Sequence, residues 1–498
     1  MDSPVQIPFK SFIQLKAEDA TPVYLQIIFE FIKAIQLGLL PEGTKLPGTR
    51  ILCKILLVNR NTLIKAFQDL EAQGFIEIRP NQGTFILSDQ KQYQGKREIS
   101  KAEKSNKAAG GFSFKCSSVL ENPVEWSDLP LQFNDGLPDI RLIHTDIVAR
   151  LYVSKLKRQK VREPWAQIQT QAHQHFKKQF FNFLNLTRGL RISESNLLTT
   201  SSHEVSLYLV AKLLLSEGDY VVVGSPGYYL SNMTLTDSGA KIIPVAVDEE
   251  GLHLAALKKV CETQKIRMVY LTSIYHYPST ILLSAKRRME MLELAHQYGF
   301  VIVEDDYDFD FHLDSNPVLP LAAIDANEHV VYLGSFARSL PAGFGYGFIT
   351  APAAFIKELE KHQRILEPGI DVMKEQVLTN WIQDGEVHRL SKKNKLIYKA
   401  RRDAFVRLLN DKLKGRIRFN IPTRGLAVWI EWLDHFNLIK MQQKCAENGL
   451  FLPKTILYQT KNMIATRLGF GSMNLNEMEN AVDILARSLK SLLNKRND

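Results

Sequence analysis

Apolar residues recur at helical spacing through residues 21–74, after which residues 75–78 alternate like a strand and residues 84–87 form a return strand. The pattern therefore predicts three helices followed by a hairpin of two strands. The expected bounds are Thr21-Pro22 to Gly38, Pro47 to Leu56 and Asn59 to Gly74 for the helices, and 75–78 and 84–87 for the strands, around a turn at 80–83. This order of elements is typical of a winged helix-turn-helix.

From about Phe133 onward, short apolar segments alternate with helical stretches such as Lys286–Tyr298. Alternation of this kind predicts βαβ units, and hence a mostly parallel sheet with helices on both faces. Ligands bind such sheets at the carboxyl ends of the strands, so the residues that follow each strand are candidates for a site. The predicted strands are Tyr220–Val223, Lys241–Val245, Met268–Thr272, Val301–Val303 and Val330–Leu333.

Residues 90–111 separate the two patterns. The segment is polar and charged and has no apolar period, which predicts a flexible linker. An exposed helix with paired lysines and glutamates is the alternative that the pattern leaves open. We therefore expect a DNA-binding domain, a linker, a large domain and a small C-terminal domain, with bounds at 12–89, 90–130, 131–365 and 366–498.

Composition places the chain among ordinary globular proteins. Its 498 residues are 45% hydrophobic and 23% charged, which excludes a disordered chain, a collagen and a coiled-coil rod. Its four cysteines are not closely paired, and no apolar run suits a signal peptide or a membrane span, so we expect a soluble cytoplasmic protein. The net charge of +10 permits nucleic acid as a partner without requiring it.

The positive charge is concentrated where a DNA-binding helix is predicted. Between Lys45 and Lys65 the chain carries basic residues and no acidic ones. The second helix of a helix-turn-helix enters the major groove with its N-terminal residues at the base edges. Here those residues are Arg60, Asn61 and Thr62, whose donors and acceptors can read bases or phosphates. A solvated basic face on a small helical domain is the alternative.

The same segment resembles the GntR family of DNA-binding domains. The matching sequences are PVYLQIIFEFIKAIQLGLLPEGTKLPGTR and VNRNTLIKAFQDLEAQGFIEIRPNQGTFI. The resemblance implies double-stranded DNA as a partner. The contacts expected from the helix pattern and the resemblance together are Arg50, Arg60, Asn61, Thr62, Lys65 and the wing-tip Gly83.

The strand-end residues of the larger part point to a cofactor site only when they are taken together. A carboxylate can hold a pyridinium nitrogen, an aromatic ring can stack on it, and a hydroxyl-rich helix start can bind phosphate. Taken singly, each of these features is better explained as a cap or a loop. Together they resemble a fold type I aminotransferase, through NDGLPD, TRGLRIS, LLLSEGDYVVVGSPGYY, VEDDYDFDF, YLGSFARSLPAGFGYGFI and TRLGFG.

With its GntR-like head, the whole chain resembles the MocR group of transcription regulators. That resemblance implies a homodimer and a pyridoxal phosphate site built on a Schiff-base lysine. Arg338 stands at the position of that lysine, 33 residues after Asp305, and no lysine lies between Lys286 and Lys357 to replace it. A guanidinium stays protonated and its lone pairs are delocalised, so we expect no covalent cofactor.

Other positions depart from the family's pattern as well. The phosphate-binding arginine of the family is replaced by Gly345, the serine of its G-S-Q turn by His203, and the glycine of its P-T-G turn by Thr280. Groups suited to a ring and a carboxylate remain. The candidate residues of this degenerate site are His203, Tyr228, Asp305, Tyr307, Ser335, Arg338 and Arg467, and we expect no metal site.

Three interpretations of the pocket stay open at this point. In the first, the pocket binds nothing and the domain serves dimerisation. In the second, it binds another small ligand, such as a carboxylate or amino-acid-like effector, through Arg467. In the third, it holds pyridoxal phosphate non-covalently with help from Arg338. Arg467 could equally be a structural ion-pair residue. We expect a sequence-specific transcription regulator without transaminase activity; the alternative is a pyridoxal phosphate-dependent aminotransferase with an accessory DNA-binding head.

Overall fold

The computed structural model describes residues 9, 13, 15, 21–36, 39–87, 114, 117, 119–143, 145–158, 165–314, 318–336, 345–369, 371–460 and 463–494. Gly38, most of the predicted linker and Arg338 lie outside the described residues. The chain divides into two compact units, 1–116 and 117–498, which are described separately below.

The first unit has the predicted three helices and hairpin. Its elements are α1 (Val23–Gln36), β1 (Lys45–Leu46), α2 (Thr49–Leu56), α3 (Arg60–Ala72), β2 (Ile76–Arg79) and β3 (Gly83–Ile86). The strands form an antiparallel sheet in the order β1-β3-β2, and β1 is an addition to the prediction. The winged helix-turn-helix is therefore confirmed.

Local sequence explains the joint between α2 and α3. The side chain of Asn59 caps α3 by accepting a hydrogen bond from the backbone N–H of Asn61, at 3.0 Å. Leu57 ends α2 in the left-handed conformation, with φ 57°. Helix packing is anchored by an edge-to-face contact between Phe31 and Phe67, whose ring centroids are 5.6 Å apart.

The second unit is built on an eight-stranded sheet. Its order is β5-β12-β11-β10-β9-β6-β7-β8, and every pairing between β11 and β7 is parallel. β12 runs antiparallel to both β11 and β5, and β8 runs antiparallel to β7. The strands are β5 (Leu197–Thr200), β6 (Tyr220–Ser225), β7 (Lys241–Asp248), β8 (Gly251–Leu252), β9 (Ile266–Leu271), β10 (Val301–Asp306), β11 (Val330–Ser335) and β12 (Gly347–Thr350).

Helices cover both faces of this sheet. Along β6, Val221 and Val223 enter one apolar core while Val222 enters another, as expected for a strand buried on both faces. The helices of this region are α4 (Thr145–Arg158), α5 (Trp165–Arg188), α6 (His203–Leu214), α7 (Tyr229–Asp237), α8 (Leu254–Thr263), α9 (Ala285–Tyr298), α10 (Leu321–Ile324), α11 (Ala353–Leu366) and α12 (Val372–Gln383).

A smaller antiparallel sheet, ordered β13-β14-β17-β16, lies toward the C-terminus. Its core also takes in Phe133 and Phe311 from earlier in the chain. The elements here are α13 (Glu386–Lys412), β13 (Ile417–Phe419), β14 (Ala427–Trp432), α14 (Leu438–Glu447), β15 (Leu450–Phe451), β16 (Leu457–Gln459), β17 (Ile464–Gly469) and α15 (Leu475–Asn494), with β15 paired to β4 (Leu131–Gln132).

The five predicted strands of the large sheet are all present, and most extend beyond the predicted bounds. The mostly parallel sheet with helices on both faces is confirmed. The sequence pattern missed β5, β8 and β12. Among the described residues, no helix is both long and apolar enough to cross a membrane.

Candidate functional site

The start of α3 presents the residues predicted to read DNA. Arg60 and Asn61 are exposed and Thr62 is half-buried, all in the first turn of the helix. Arg50 and Lys54 are exposed on α2, the preceding helix of the motif. The arrangement places donors at the end of the recognition helix that meets base edges in helix-turn-helix proteins.

Two of the residues predicted to contact DNA, Lys65 and Gly83, lie close to other side chains of the same domain. The Lys65 ammonium lies 3.9 Å from the centroid of the Tyr24 ring, a cation–π contact on the domain surface. Gly83 has φ 118°, which favours glycine, and a Cβ there would lie 2.9 Å from Cε of Lys45. Gly83 therefore permits the tight wing and the approach of a lysine beside it.

The hairpin also carries a basic residue that sequence reasoning missed. Arg79 pairs with Gly83 in the strand register, lies over the Phe85 ring at 4.8 Å and bonds Glu77 at 2.6 Å. Its place opposite the wing-tip glycine could have been found from the hairpin register, because cross-strand partners are fixed by the turn.

In the second unit, Asp305 lies near the carboxyl end of β10 and is 4% exposed. Its Oδ2 accepts hydrogen bonds from His203 Nε2, at 2.9 Å, and from the Tyr270 hydroxyl. Its Oδ1 is buried and has no hydrogen-bond partner. A buried carboxylate oxygen without a donor is costly, so this atom is where a ligand's N–H or O–H would be favoured.

His203 is the first residue of α6, where Ser202 is the N-cap and accepts a hydrogen bond from the backbone N–H of Val205 at 3.3 Å. Burial alone would lower the pKa of His203, but the charge and hydrogen bond of Asp305 outweigh burial and raise it. Asp305 thus shifts the pKa of His203 toward the charged form, while Nδ1 of the ring is buried without a hydrogen-bond partner among the described residues.

A second carboxylate meets the turn before α6. Glu367 Oε1 accepts a hydrogen bond from the backbone N–H of Ser201 at 2.9 Å. Gln363 orients this carboxylate, because its Nε2 donates to Glu367 Oε2 at 3.1 Å and to the Thr199 carbonyl at 2.6 Å. Sequence reasoning missed Glu367, which lies 166 residues from Ser201 in the chain.

Arg467 on β17 is fully buried and already has hydrogen-bond acceptors. Its Nε donates to the Asp135 carbonyl at 2.9 Å, Nη1 to the Pro278 carbonyl at 2.8 Å, and Nη2 to the Tyr307 hydroxyl at 3.3 Å. A guanidinium has five N–H donors, so two remain beyond these three contacts. Arg467 thus links three segments and keeps a limited capacity for a carboxylate.

Tyrosine rings connect the other predicted residues. Tyr228 packs on Tyr277 with centroids 4.6 Å apart, and Tyr277 lies 6.0 Å from Tyr307. The Arg467 guanidinium lies 4.6 Å from the Tyr277 centroid. The structure therefore brings Tyr228, Tyr307 and Arg467 to one place, joined by a tyrosine that sequence reasoning did not single out.

Two departures from the family's pattern have visible consequences. Thr280 keeps a left-handed backbone, φ 63°, at the position of the family's glycine. Gly345, at the position of the phosphate-binding arginine, instead offers its carbonyl to the Lys374 ammonium. Ser335 ends β11 and is buried, while its neighbour Arg338 lies outside the described residues.

Residues 149–485 match the model of the aminotransferase class I and II family. The chain belongs to this family. Residues 23–86 match the bacterial regulatory proteins of the gntR family, so the aminotransferase-like domain follows a GntR winged helix, as in the MocR-type architecture.

Relatives with both parts span nearly the whole chain. The HTH-type transcriptional regulator YdfD of Bacillus subtilis is 25% identical over 97% of this chain and 100% of its own length. The probable rhizopine catabolism regulatory protein MocR of Rhizobium meliloti is 24% identical over 82% of this chain and 81% of its own. Among solved structures, the kynurenine aminotransferase of Pyrococcus horikoshii has a TM-score of 0.66 at 22% identity, covering 73% of this chain and 91% of its own, which shows the shared fold.

The aminotransferase class I and II fold implies a pyridoxal phosphate site by family. Among the described residues, Asp305 Oδ1 is one atom that fits the group, because it can accept an N–H from a pyridine ring. His203 and Tyr270 already bond Oδ2, and Gly345 stands where the family places its phosphate arginine. In the described part of the chain, no three His, Cys, Asp or Glu side chains are grouped to hold a metal.

Proposed function

We propose that this chain is a sequence-specific DNA-binding transcription regulator, with an aminotransferase-like domain that binds an effector or dimerises and does not transaminate. The observation that carries the proposal is the exposed basic surface of α2 and the start of α3, where no acidic residue lies between Lys45 and Lys65 and Arg60 and Asn61 occupy the first turn of the recognition helix. The relatives that are named transcriptional regulators support it.

The lack of transaminase activity rests on residue chemistry. Transamination through pyridoxal phosphate needs a lysine amine at the Schiff-base position, and this chain has Arg338 there. The arginine cannot lose its proton to become a nucleophile near neutral pH. The hydrogen bonds that Asp305 Oδ2 accepts from His203 and Tyr270 support the same conclusion, because they engage one of the two oxygens of the pyridine-binding carboxylate within the chain.

Any effector of the pocket is proposed to be a small carboxylate or an amino-acid-like molecule. Two N–H donors of Arg467 remain after its contacts with Asp135, Pro278 and Tyr307, and a guanidinium prefers a carboxylate as partner. A homodimer, as the family resemblance implies, would carry two winged helices and read two half-sites.

DNA recognition is tested on the full chain. Bound sequences are selected from a random duplex library, and the affinity for the selected duplex is then measured for wild type and for Arg60→Ala. Lys33→Ala is the matched control, because Lys33 is an exposed basic residue at the end of α1, away from the recognition helix in the sequence, with an ion pair to Glu30. Circular dichroism checks that each variant is folded.

We expect Arg60→Ala to weaken specific binding by about 1–3 kcal/mol and Lys33→Ala to leave it nearly unchanged. Wild-type affinity should also fall steeply with salt, since phosphate contacts release counterions. Equal affinity of wild type and Arg60→Ala for the selected duplex would refute the assignment of α3 as the recognition helix.

Transaminase activity is tested separately, with pyridoxal phosphate, amino-acid donors and 2-oxo-acid acceptors. We expect turnover no higher than that of free pyridoxal phosphate. Borohydride treatment followed by peptide mapping should give no stoichiometric labelling of one lysine. Turnover well above background would overturn this part of the proposal and leave the DNA-binding part standing.

A further inference from the structure

The side chain of His203 reaches from the start of α6 to the carboxylate of Asp305. α6 starts directly after β5, whereas Asp305 lies on β10, and the sheet order β5-β12-β11-β10 places two strands between them. Nevertheless His203 Nε2 lies 2.9 Å from Asp305 Oδ2. The imidazole therefore extends from the helix start across the strand ends to the carboxylate.

A pyridoxal phosphate molecule would have to follow the same line. Its phosphate suits the N-terminus of a helix, where backbone N–H groups and the helix dipole favour an anion. Its ring nitrogen suits a carboxylate such as Asp305. His203 occupies the segment between these two ends with an aromatic ring of its own.

Groups of the chain itself take the place of both charged ends of pyridoxal phosphate, the pyridinium ring and the phosphate. At Asp305, the raised pKa of His203 favours a cationic ring hydrogen-bonded to the carboxylate, as a pyridinium would be. Just before the N-cap of α6, the Glu367 carboxylate accepts a hydrogen bond from the Ser201 N–H, which places a negative charge next to the helix start that would favour a phosphate. The partners in the two contacts, Asp305 and Glu367, lie far apart in the chain, and both meet the turn that holds Ser201 and His203.

The carboxylate of Asp305 shows that the substitution is incomplete. Oδ2 has two donors, His203 and Tyr270, whereas Oδ1 is buried without any. A fully self-sufficient ion pair would be expected to satisfy both oxygens. The open oxygen is consistent with a carboxylate placed to bind a ring that His203 now replaces.

We propose that His203 and Glu367 are built-in substitutes for the ring and phosphate ends of pyridoxal phosphate, and that His203 is the residue that sets the pocket's selectivity against this cofactor. The pocket then excludes pyridoxal phosphate for two reasons. The His203 side chain fills the site, and the Schiff-base position has no lysine. It does not depend on DNA binding, so a chain that failed to bind DNA would leave this proposal intact.

The test uses pyridoxine 5′-phosphate, which has the ring and the phosphate but no aldehyde, so that lysines cannot trap it. Its affinity for the full chain is measured by equilibrium dialysis for wild type, His203→Ser, Glu367→Gln and the double variant. His388→Ser is the matched control, because it makes the same change at an exposed histidine of α13.

We expect His203→Ser to bind roughly tenfold to a hundredfold more tightly than wild type, the range of one charge-assisted hydrogen bond regained by the ligand. Glu367→Gln should add to this gain by removing repulsion of the phosphate. In His203→Ser/Asp305→Asn the gain should disappear, because the ring nitrogen loses its carboxylate. His388→Ser should bind like wild type.

Two results would overturn the proposal: wild type that binds pyridoxine 5′-phosphate as tightly as His203→Ser, or a folded His203→Ser that shows no gain. The Asp305→Asn combination separates specific rescue from mere loosening of the fold, since loosening would not depend on that carboxylate. If His203→Ser does not fold, His203→Ala and the single variant Glu367→Gln are judged by the same criteria.

Discussion

Tyr332 on β11 donates a hydrogen bond to Asp306 Oδ2 on the neighbouring strand β10, with 2.6 Å between the oxygens. Both residues are buried. Burial raises the pKa of Asp306 to about 7, although the charge of Arg188 pulls it down, and Glu304 adds to the rise. In the folded chain Asp306 therefore keeps its proton to near neutral pH, whereas in the unfolded chain it loses it near pH 4.

This difference predicts a pH dependence of stability. Between about pH 4 and pH 7 the folded state binds more protons at Asp306 than the unfolded state, so the contribution of Asp306 to stability falls as the pH rises through that window. Asp306→Asn removes the titration. The difference in melting temperature between the variant and wild type should therefore become more favourable to the variant from pH 5 to pH 8. The matching change in the free energy of unfolding should be about a few kcal/mol at most.

The exposed carboxylate Asp411 on α13 provides the control, because Asp411→Asn should shift the melting temperature little at either pH. A constant offset between Asp306→Asn and wild type across the whole pH range would show that Asp306 does not titrate as described.

Leu57 offers a test in the DNA-binding domain. It has φ 57° and is 84% exposed, so it bears the cost of a left-handed backbone without packing in return. That conformation costs a non-glycine residue about 1–2 kcal/mol. Glycine avoids this cost, but its greater conformational freedom in the unfolded chain offsets part of the gain in stability. Leu57→Gly should therefore raise the melting temperature of the domain by a few degrees. A lower melting temperature would show that the Leu57 side chain is stabilising.

Thr280 makes the parallel case in the large domain. A β-branched residue at φ 63° is a backbone outlier, and the backbone N–H of Thr280 is fixed by a hydrogen bond of 2.7 Å to the His276 carbonyl. Thr280→Gly should stabilise the protein by about 1 kcal/mol, measured as a rise in the melting temperature. Thr263→Gly on α8 is the opposing control, because glycine inside or at the end of a helix should destabilise.

Lys65 allows phosphate contact to be separated from base reading. Its ammonium stays at the surface on the Tyr24 ring, an exposed position that suits a phosphate. Lys65→Ala should weaken binding to all duplexes to a similar extent and reduce the salt slope by about 1, whereas Arg60→Ala should reduce discrimination between sequences. Binding titrations at several salt concentrations measure both. A sequence-dependent loss in Lys65→Ala would assign it to the bases instead.

The winged helix could be predicted almost completely because its signals are local. Asn59 caps α3 through a neighbour two residues away, and the turn at 80–83 fixes the hairpin. β1 was missed because two residues carry no alternation and its partner β3 lies about forty positions later in the chain. β5 and β12, with four residues each, and β8, with two, were also too short to show a clear alternation, and β5 pairs with the distant β12.

The site was predictable in its residues but not in its contacts. The motifs singled out Asp305, Tyr307 and Arg467, and in the structure Arg467 donates a hydrogen bond to the Tyr307 hydroxyl. They could not show that His203 reaches Asp305 across 102 residues, or that Glu367 meets Ser201 across 166. Those contacts depend on side-chain conformations and on the assembly of distant segments, which spacing along the chain does not encode.

The apolar cluster around the Phe31–Phe67 contact is formed by one continuous part of the chain. The described residues of that apolar cluster all fall between Phe9 and Ile86, within the first unit. Substitutions that erase catalysis in the larger unit leave this interior untouched. Selection can therefore act on the core of the DNA-binding unit separately from the pocket of the larger unit, and the same head can be inherited with pockets of different chemistry.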